Sequence, residues 1–497
     1  MRAWGRVRSG RLLCLLALLC SPAAARAADP EPPAEPAPAA QEAPAAPATQ
    51  PAPEDAVPGP PAAVPANPAQ AGQDHFDPLR GIDENGRIPR GLRPPDLPNP
   101  EHWRYIPEGR LKPGNLFQRL LVSSVIAPFV FHDSDVGTGF GAALVDIDFR
   151  EQRRRETAGA FLSYTTEGQQ NYTFFWRRWL HHVELPTGGV LQEERSFVRA
   201  AGGYSRTLTR RFFGLGSSSN KHDETSYRDE FFYLELGMDH ALPDPGDPFV
   251  LSLGARAESH SLGPGHVSGD PSMGKVDQGF YHGLFNRADD SLQGSLSGGV
   301  RWDTRDSQMN PYRGWSVGAD VDAALLQDSW RVGALWGVGA TKLFPLPPLL
   351  HSGGDPGEEN PPTDVLALGF RGQTVTGELP FFAYPSLGGS ESQRGFIAGR
   401  WRDRTSYDAS LEYRFWILPR GFPIPFTRAI RVERVGAALF YEAGAVGHDP
   451  AQVVDSRVRS SYGVGLRFSL ERAAPFRVDV GFSEDGVNVA ARFGLSF

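Results

Sequence analysis

From residue 136 to the C-terminus the chain alternates. Segments of period-two hydrophobicity recur, separated by Gly, Pro, Asn and Asp turn signals, as in strands with one apolar and one polar face. The pattern predicts strands near 136–149, 156–166, 170–180, 195–207, 227–240, 248–261, 292–306, 313–326, 329–343, 364–376, 405–418, 433–443, 458–470, 475–483 and 486–497. That is fifteen, whereas single-chain bacterial barrels hold an even number. Residues 119–131, RLLVSSVIAPFVF, supply the missing one. This stretch is apolar, alternates poorly and contains Pro128; it reads as strand one, with a short helix as the alternative.

The alternation also assigns faces. At 405–418, Tyr407, Ala409, Leu411, Tyr413 and Phe415 fall on one side and Asp408, Ser410, Glu412 and Arg414 on the other. At 292–306, Leu296, Gly298, Val300, Trp302 and Thr304 oppose Arg301, Asp303 and Arg305; at 313–326, Trp315, Val317, Ala319 and Val321 oppose Asp320 and Asp322. A soluble sandwich would turn its apolar face inward. In a barrel that face meets lipid, where a mid-depth Arg or Lys costs roughly 2–4 kcal/mol, so the register is strongly determined. The expected fold is all-β: a transmembrane antiparallel β-barrel of about 16 strands. With both ends periplasmic, the connections 263–291 and 377–404 face outside and 307–314 faces the periplasm.

Composition adds processing and boundaries. Mean hydropathy is −0.34, and beyond the N-terminus no apolar run reaches the ~18 residues of a spanning helix. Residues 1–27 read as a signal peptide: Arg2, Arg6, Arg8 and Arg11, an apolar run, then Ala25-Arg26-Ala27. Both cysteines, Cys14 and Cys20, lie there, and Leu19 is too large for the residue before a lipidated cysteine. Removing this segment takes five arginines from 50 basic residues, leaving 45 against 58 acids, net −13. Residues 28–72 are a Pro/Ala-rich disordered linker, extended at ~3.1 Å per residue to roughly 140 Å at most. Residues 73–118 are a turn-rich lead-in or plug, and 119–497 form the barrel.

Little points to catalysis. Gly388-Gly389-Ser390-Glu391-Ser392 is not a nucleophile elbow, and no phosphate-binding motif fits. His181-His182 lack a helical metal spacing and read as solvated turn residues. No enzyme activity, cofactor or metal is expected, and the acidic balance argues against nucleic acid. The polar groups assigned to the lumen are Asp303, Asp320, Asp322, Glu412, Glu442, Arg467 and Asp479.

One stretch stands apart, residues 386–416. Gly388-Gly389-Ser390 leads to Arg394-Gly395-Phe396, then Arg402-Asp403-Arg404 and Leu411-Glu412-Tyr413-Arg414-Phe415. Phe440-Tyr441-Glu442-Ala443-Gly444 follows, where Glu442 stands at the position of an Asp. In this order they resemble the BamA/TamA superfamily of outer-membrane barrels (the bacterial surface antigen family), as do the Arg305-to-Trp315 turn and Phe212-Phe213-Gly214-Leu215-Gly216. Nothing between 28 and 115 has the periodicity of that family's POTRA modules, so the likeness is to a member lacking them.

The resemblance implies that the loop at Arg394, Gly395 and Phe396 folds into the barrel. Arg394 would pair there with Glu442, shared with Glu412 or Asp479, and Phe396 would pack beside the pair. Arg suits this because its planar fork binds carboxylate bidentately and stays charged. The terminal strand alternates Val487, Val489, Ala491, Phe493, Leu495 and Phe497 with polar or small residues. Phe493, Leu495 and Phe497 are similar to the C-terminal assembly signal of such barrels. The expected place is the outer membrane of a Gram-negative bacterium, with the linker in the periplasm. The expected function is insertion or translocation of a protein or lipid substrate. Partners would be outer-membrane lipid, an unfolded outer-membrane or secreted client, and periplasmic or peptidoglycan contacts through the linker. The alternatives are a passive small-solute channel and a structural envelope anchor.

Overall fold

The computed structural model of the chain describes residues 87–495, apart from 92, 108–123, 134, 187–188, 270, 272–282, 286–287, 328–330, 424–430 and 471–473. Sixteen strands follow one another in an antiparallel sheet: β1 (Ser124–Asp133), β2 (Gly137–Asp146), β3 (Glu156–Thr165), β4 (Gln170–Trp179), β5 (Phe197–Phe212), β6 (Thr225–Leu242), β7 (Phe249–Pro264) and β8 (Ser291–Asp303). The rest are β9 (Gly314–Gln327), β10 (Gly333–Leu346), β11 (Asp364–Gly377), β12 (Thr405–Leu418), β13 (Arg431–Gly447), β14 (Arg459–Leu470), β15 (Ala474–Ser483) and β16 (Gly486–Phe493). Each pairs with the next in sequence.

The sheet curls into a barrel. Its curvature brings the β5–β6 connection against β13 and β14, where Ser217 Oγ donates to Val446 O at 2.9 Å and Arg459 Nε donates to Ser217 O at 2.9 Å. No ladder joins β1 to β16 among the described residues. Strand one exists, and its Pro128 lies on an end strand, where a sheet tolerates a missing N–H. The expected stretch begins earlier, and residues 119–123 fall outside the described ones.

The outer surface is the apolar face of each strand. Leu296, Val300, Trp302, Trp315 and Leu411 are exposed, while Arg301, Asp303, Arg305 and Glu412 are buried inside. The long strands β5, β6 and β7 run beyond the limits that alternation sets. The ladder between β5 and β6 shifts register between Thr207 and Arg210, then resumes to Phe212. A bulge of this kind breaks the period of two without ending the strand.

A second, small sheet lies across the end of the barrel formed by the connections β4–β5, β6–β7, β8–β9 and β10–β11. Its central strand, Val190–Glu193, pairs on one side with Trp103–Ile106 and on the other with His182–Glu184. His182 is therefore a strand residue, and His181 and His182 are half-buried rather than solvated, because the β4–β5 connection folds back as a hairpin. The segment before it, 87–106, runs as a strap over this end. Arg93 Nη2 donates to Glu359 Oε1 at 2.7 Å, Pro89 bridges Glu358, and Asn99 Nδ2 donates to Asp247 Oδ1 at 3.0 Å. Arg195 Nη2 reaches Arg305 O at 2.6 Å, fastening the hairpin to the β8–β9 turn.

Candidate functional site

The connection from β11 to β12 narrows to a neck before it enters the barrel. Ser386 and Leu387 pair with Arg402 and Trp401, respectively. Beyond this neck Gly388 and Gly389 hold φ of 106° and 112°, a left-handed backbone that favours glycine, and redirect the chain. A tight turn follows: Phe396 N donates to Gln393 O at 2.9 Å, and Gly389 N donates to Phe396 O at 3.0 Å. Arg394 and Gly395 form its tip.

The tip rests on the inner wall of β12–β16. A Cβ added at Gly395 would lie 2.5 Å from Phe482 O, and one at Gly481 2.5 Å from Gly395 N. The two glycines let the loop backbone meet the strand backbone directly, an approach that side chains would block. Asn488 Nδ2 then donates to Arg394 O at 2.8 Å, and Ser483 Oγ donates to Gly395 O at 2.9 Å.

Arg394 is fully buried, and three carboxylates converge on it. Its Nε donates to Glu442 Oε1 at 2.7 Å and its backbone N to Glu442 Oε2 at 2.6 Å, so one carboxylate grips side chain and main chain together. Its Nη1 donates to Glu412 Oε2 at 2.7 Å and to Asp479 Oδ2 at 3.3 Å. Three further arginines complete the cluster. Arg467 bridges Glu412 and Asp479 at 2.9 and 2.7 Å, Arg414 Nε meets Glu412 at 2.7 Å, and Arg477 Nη1 meets Asp479 at 2.7 Å. Ser461 Oγ donates to Glu442 at 3.2 Å. Sharing each carboxylate between cations and hydrogen bonds satisfies its lone pairs, which burial of charge requires.

The aromatic contacts differ in detail from the sequence expectation. Phe440 of β13, rather than Phe396, lies under the guanidinium, with Arg394 Cζ 3.6 Å from its ring centroid. Phe396 packs instead with Leu387, Trp401 and Val446, edge-on to Trp401 at 5.6 Å. Trp401 in turn lies between the guanidiniums of Arg400 and Arg459, at 3.7 and 4.0 Å, a cation–π stack that steadies the neck. The Phe212-to-Gly216 segment joins this tier. Phe213 is buried against Arg400, and Gly216 N donates to Arg402 O at 2.9 Å.

Glu412, Glu442, Asp479, Arg394, Gly395 and Phe396 are thus brought into one assembly. Asp320 and Asp322 are not; they lie on β9, away from the tip. Asp303 forms its own buried pair with Arg305 at 2.7 Å. Phe493 closes β16, Leu495 follows half-buried, and Phe497 lies outside the described residues. Sequence reasoning passed over Arg477, Asn488, Ser461 and Ser217 in this assembly. For Arg477 the signal was present, because it is two residues from Asp479 on the same strand face. For Ser217 there was none beyond the neighbouring glycines.

Chemically the assembly is a clamp. Among the described residues, no group of three or more His, Cys, Asp or Glu side chains could hold a metal ion. What the geometry can do is hold a loop against a wall, buried and multiply bonded.

Sixteen outward-apolar strands and a surface connection folded inward define an outer-membrane-type β-barrel with an occupied lumen. Residues 256–497 match the Omp85 superfamily domain. Similar solved structures include BamA from Haemophilus ducreyi lacking POTRA domains 1–3, at 15% identity and TM-score 0.43, covering 75% of this chain and 70% of that one. CdiB from Acinetobacter baumannii (14%, TM-score 0.39) and from Escherichia coli (12%, TM-score 0.44) are each matched over 75% of this chain. The chain spans only 58% and 62% of those two proteins. No curated protein matches.

Proposed function

We propose that this barrel inserts or translocates a protein or lipid substrate at the outer membrane, and that the Arg394 clamp holds its inward loop in the working position. The observation that carries the reading is the burial of Arg394 among Glu412, Glu442 and Asp479. Passive passage of solute does not require a loop locked to the wall by so many buried ion pairs. A machine that must keep a wall rigid while admitting a client does. The barrel would sit in the outer membrane of a Gram-negative bacterium, with the strap and linker on the periplasmic side and no catalytic step of its own. In this reading the linker reaches a periplasmic or peptidoglycan contact.

Reconstitution in liposomes tests this. The full-length barrel should accelerate protease-protected insertion of a urea-unfolded outer-membrane protein, or transbilayer movement of a fluorescent phospholipid. Arg394→Ala should abolish whichever activity is present. Acceleration of neither process by a correctly folded barrel would refute the reading.

A further inference from the structure

A cavity of about 1140 Å³ lies inside the barrel, bounded by the strap residue Arg104 and by the inward loop from Gly388 to Ser392. Among the described residues that line it are twelve arginines, eight carboxylates and no lysine, a balance of +4. The chain as a whole is the reverse, 50 basic residues against 58 acidic, or −8. The positive excess therefore belongs to the chamber and is not a property of the composition.

Most of these arginines are held by carboxylates or carbonyls at bonding distance, and Arg371 feels its neighbouring acids only from further away. Arg371 of β11 is exposed to the chamber and makes no ion pair with any described residue. Asp408 stands opposite it in the β11–β12 ladder but accepts from Gln393 Nε2 at 3.3 Å. Asp320, the other nearby acid, leans over Gly337 on the neighbouring strand. Arg210 and Arg256 also line the chamber, with side chains 45% and 37% exposed and carboxylate partners at Asp229 and Glu258. A low-dielectric wall concentrates the field of such charges. Guanidinium forks, always protonated, match the oxygens of phosphoryl and carboxylate groups.

We propose that this chamber is anion-selective and receives small phosphoryl or carboxylate anions, with Arg371 as their free contact. Rings of basic side chains are the usual means by which pores favour anions. The proposal does not depend on which cargo the barrel inserts, because it concerns ions inside the lumen and is read electrically.

The test uses the full chain in a planar bilayer of neutral lipid under a KCl gradient, alongside a form with the strap latch loosened by Arg93→Ala and Glu359→Ala. The expected reversal potential has the sign of chloride preference. Tripolyphosphate should block the current and spermine at equal concentration should not. Arg371→Glu should reduce the chloride preference several-fold and weaken the block, while Arg371→Lys should keep both. Heat-modifiable gel migration confirms that each variant is folded. A zero or potassium-preferring reversal potential, equal block by spermine, an unchanged Arg371→Glu variant, or no conductance in either form would overturn the proposal.

Discussion

Two of the barrel's ion-pair systems, one at the loop tip and one at the strap, are made of the same residue types. At the tip, Glu412, Glu442 and Asp479 are at most 1% exposed and Arg394 is 0% exposed. At the strap, Arg93 is 20% exposed and its partner Glu359 6%, while the outlying Arg87–Asp355 pair is more than two-fifths exposed on both sides. Water therefore sets the worth of each. Loss of one partner from a buried set strands an uncompensated charge and costs about 3–5 kcal/mol. Loss of one from an exposed pair costs about 0–1 kcal/mol. The tip is a fixed joint, whereas the strap is a closure held less firmly and, at its Arg87 end, by a pair open to water.

The sharpest way to break this contrast is at the tip. Arg394→Ala and Glu442→Ala should each destabilise the seated loop by about 3–5 kcal/mol, and the double variant should be little worse than either single one. Insertion assays on folded barrels, with denaturant titrations beside them, read this. Additive or negligible losses would reduce Arg394 to an ordinary loop arginine.

A second variant removes no charge. Gly481→Val places side-chain atoms where Gly395 N and the Arg394 carbonyl carbon come within 2.5–2.6 Å of a Cβ. Overpacking of this kind costs about 1–3 kcal/mol, and here it should lift the loop. A cysteine at Ile397 should then label with a thiol reagent much faster than in the parent. Unchanged labelling would show that the glycine contact does not seat the tip.

At the strap, Arg93→Ala should cost less than either tip variant, because Arg93 keeps a fifth of its side chain in water whereas Arg394 keeps none. Limited proteolysis should cut 87–106 more readily while the barrel keeps its resistance. Equal loss of barrel and strap would erase the distinction between the two systems.

The smallest effect is one of pH. Burial, then the neighbouring Arg155, pushes the His182 imidazole down to about 4. It stays neutral in the fold while the unfolded chain takes up a proton near 6.5. The small sheet should therefore be fully stable above pH ~6.5 and lose stability as pH falls towards 4. Burial lowers His181 and His102 too and acts in the same direction, while Glu193, raised by burial, acts in the opposite one. The measurement is thus a difference: hydrogen exchange across 182–193 in the parent and in His182→Gln, with a shallower pH dependence in the variant. Identical profiles would exclude His182.

Much of this was legible in the chain. Period-two alternation located the strands and gave Glu412, Glu442 and Asp479 their inward parity, because a lipid-facing charge is too costly to leave the register open. Alternation fixes a face, however, and not a height or an angle around the barrel. It could not say that Arg414 and Arg477 reach the same tip, or that Phe440 would take the place under the guanidinium. The bulge between Thr207 and Arg210 hid the outer reaches of β5 and β6. The small sheet was invisible because WRYI, HVE and VLQE are too short to show any period. Their pairing spans 88 residues, as Arg104 to Gln192 shows.

The seat of Arg394 also has a consequence for the order of events in biogenesis. Its contacts reach forward along the chain, to Asp479 85 residues later and to Asn488 94 residues later. A polypeptide delivered N-terminus first presents the arginine long before its final partners exist. Contacts so distant in sequence form late, because loop closure must precede them. Docking of the loop therefore reports that β15 and β16 have arrived and taken their register. A chain cut short before Asp479 would leave the cation without its full set of acceptors and the tip without Gly481 to rest on. The loop would stay outside, marking the incomplete barrel as unfinished to any protease that samples it.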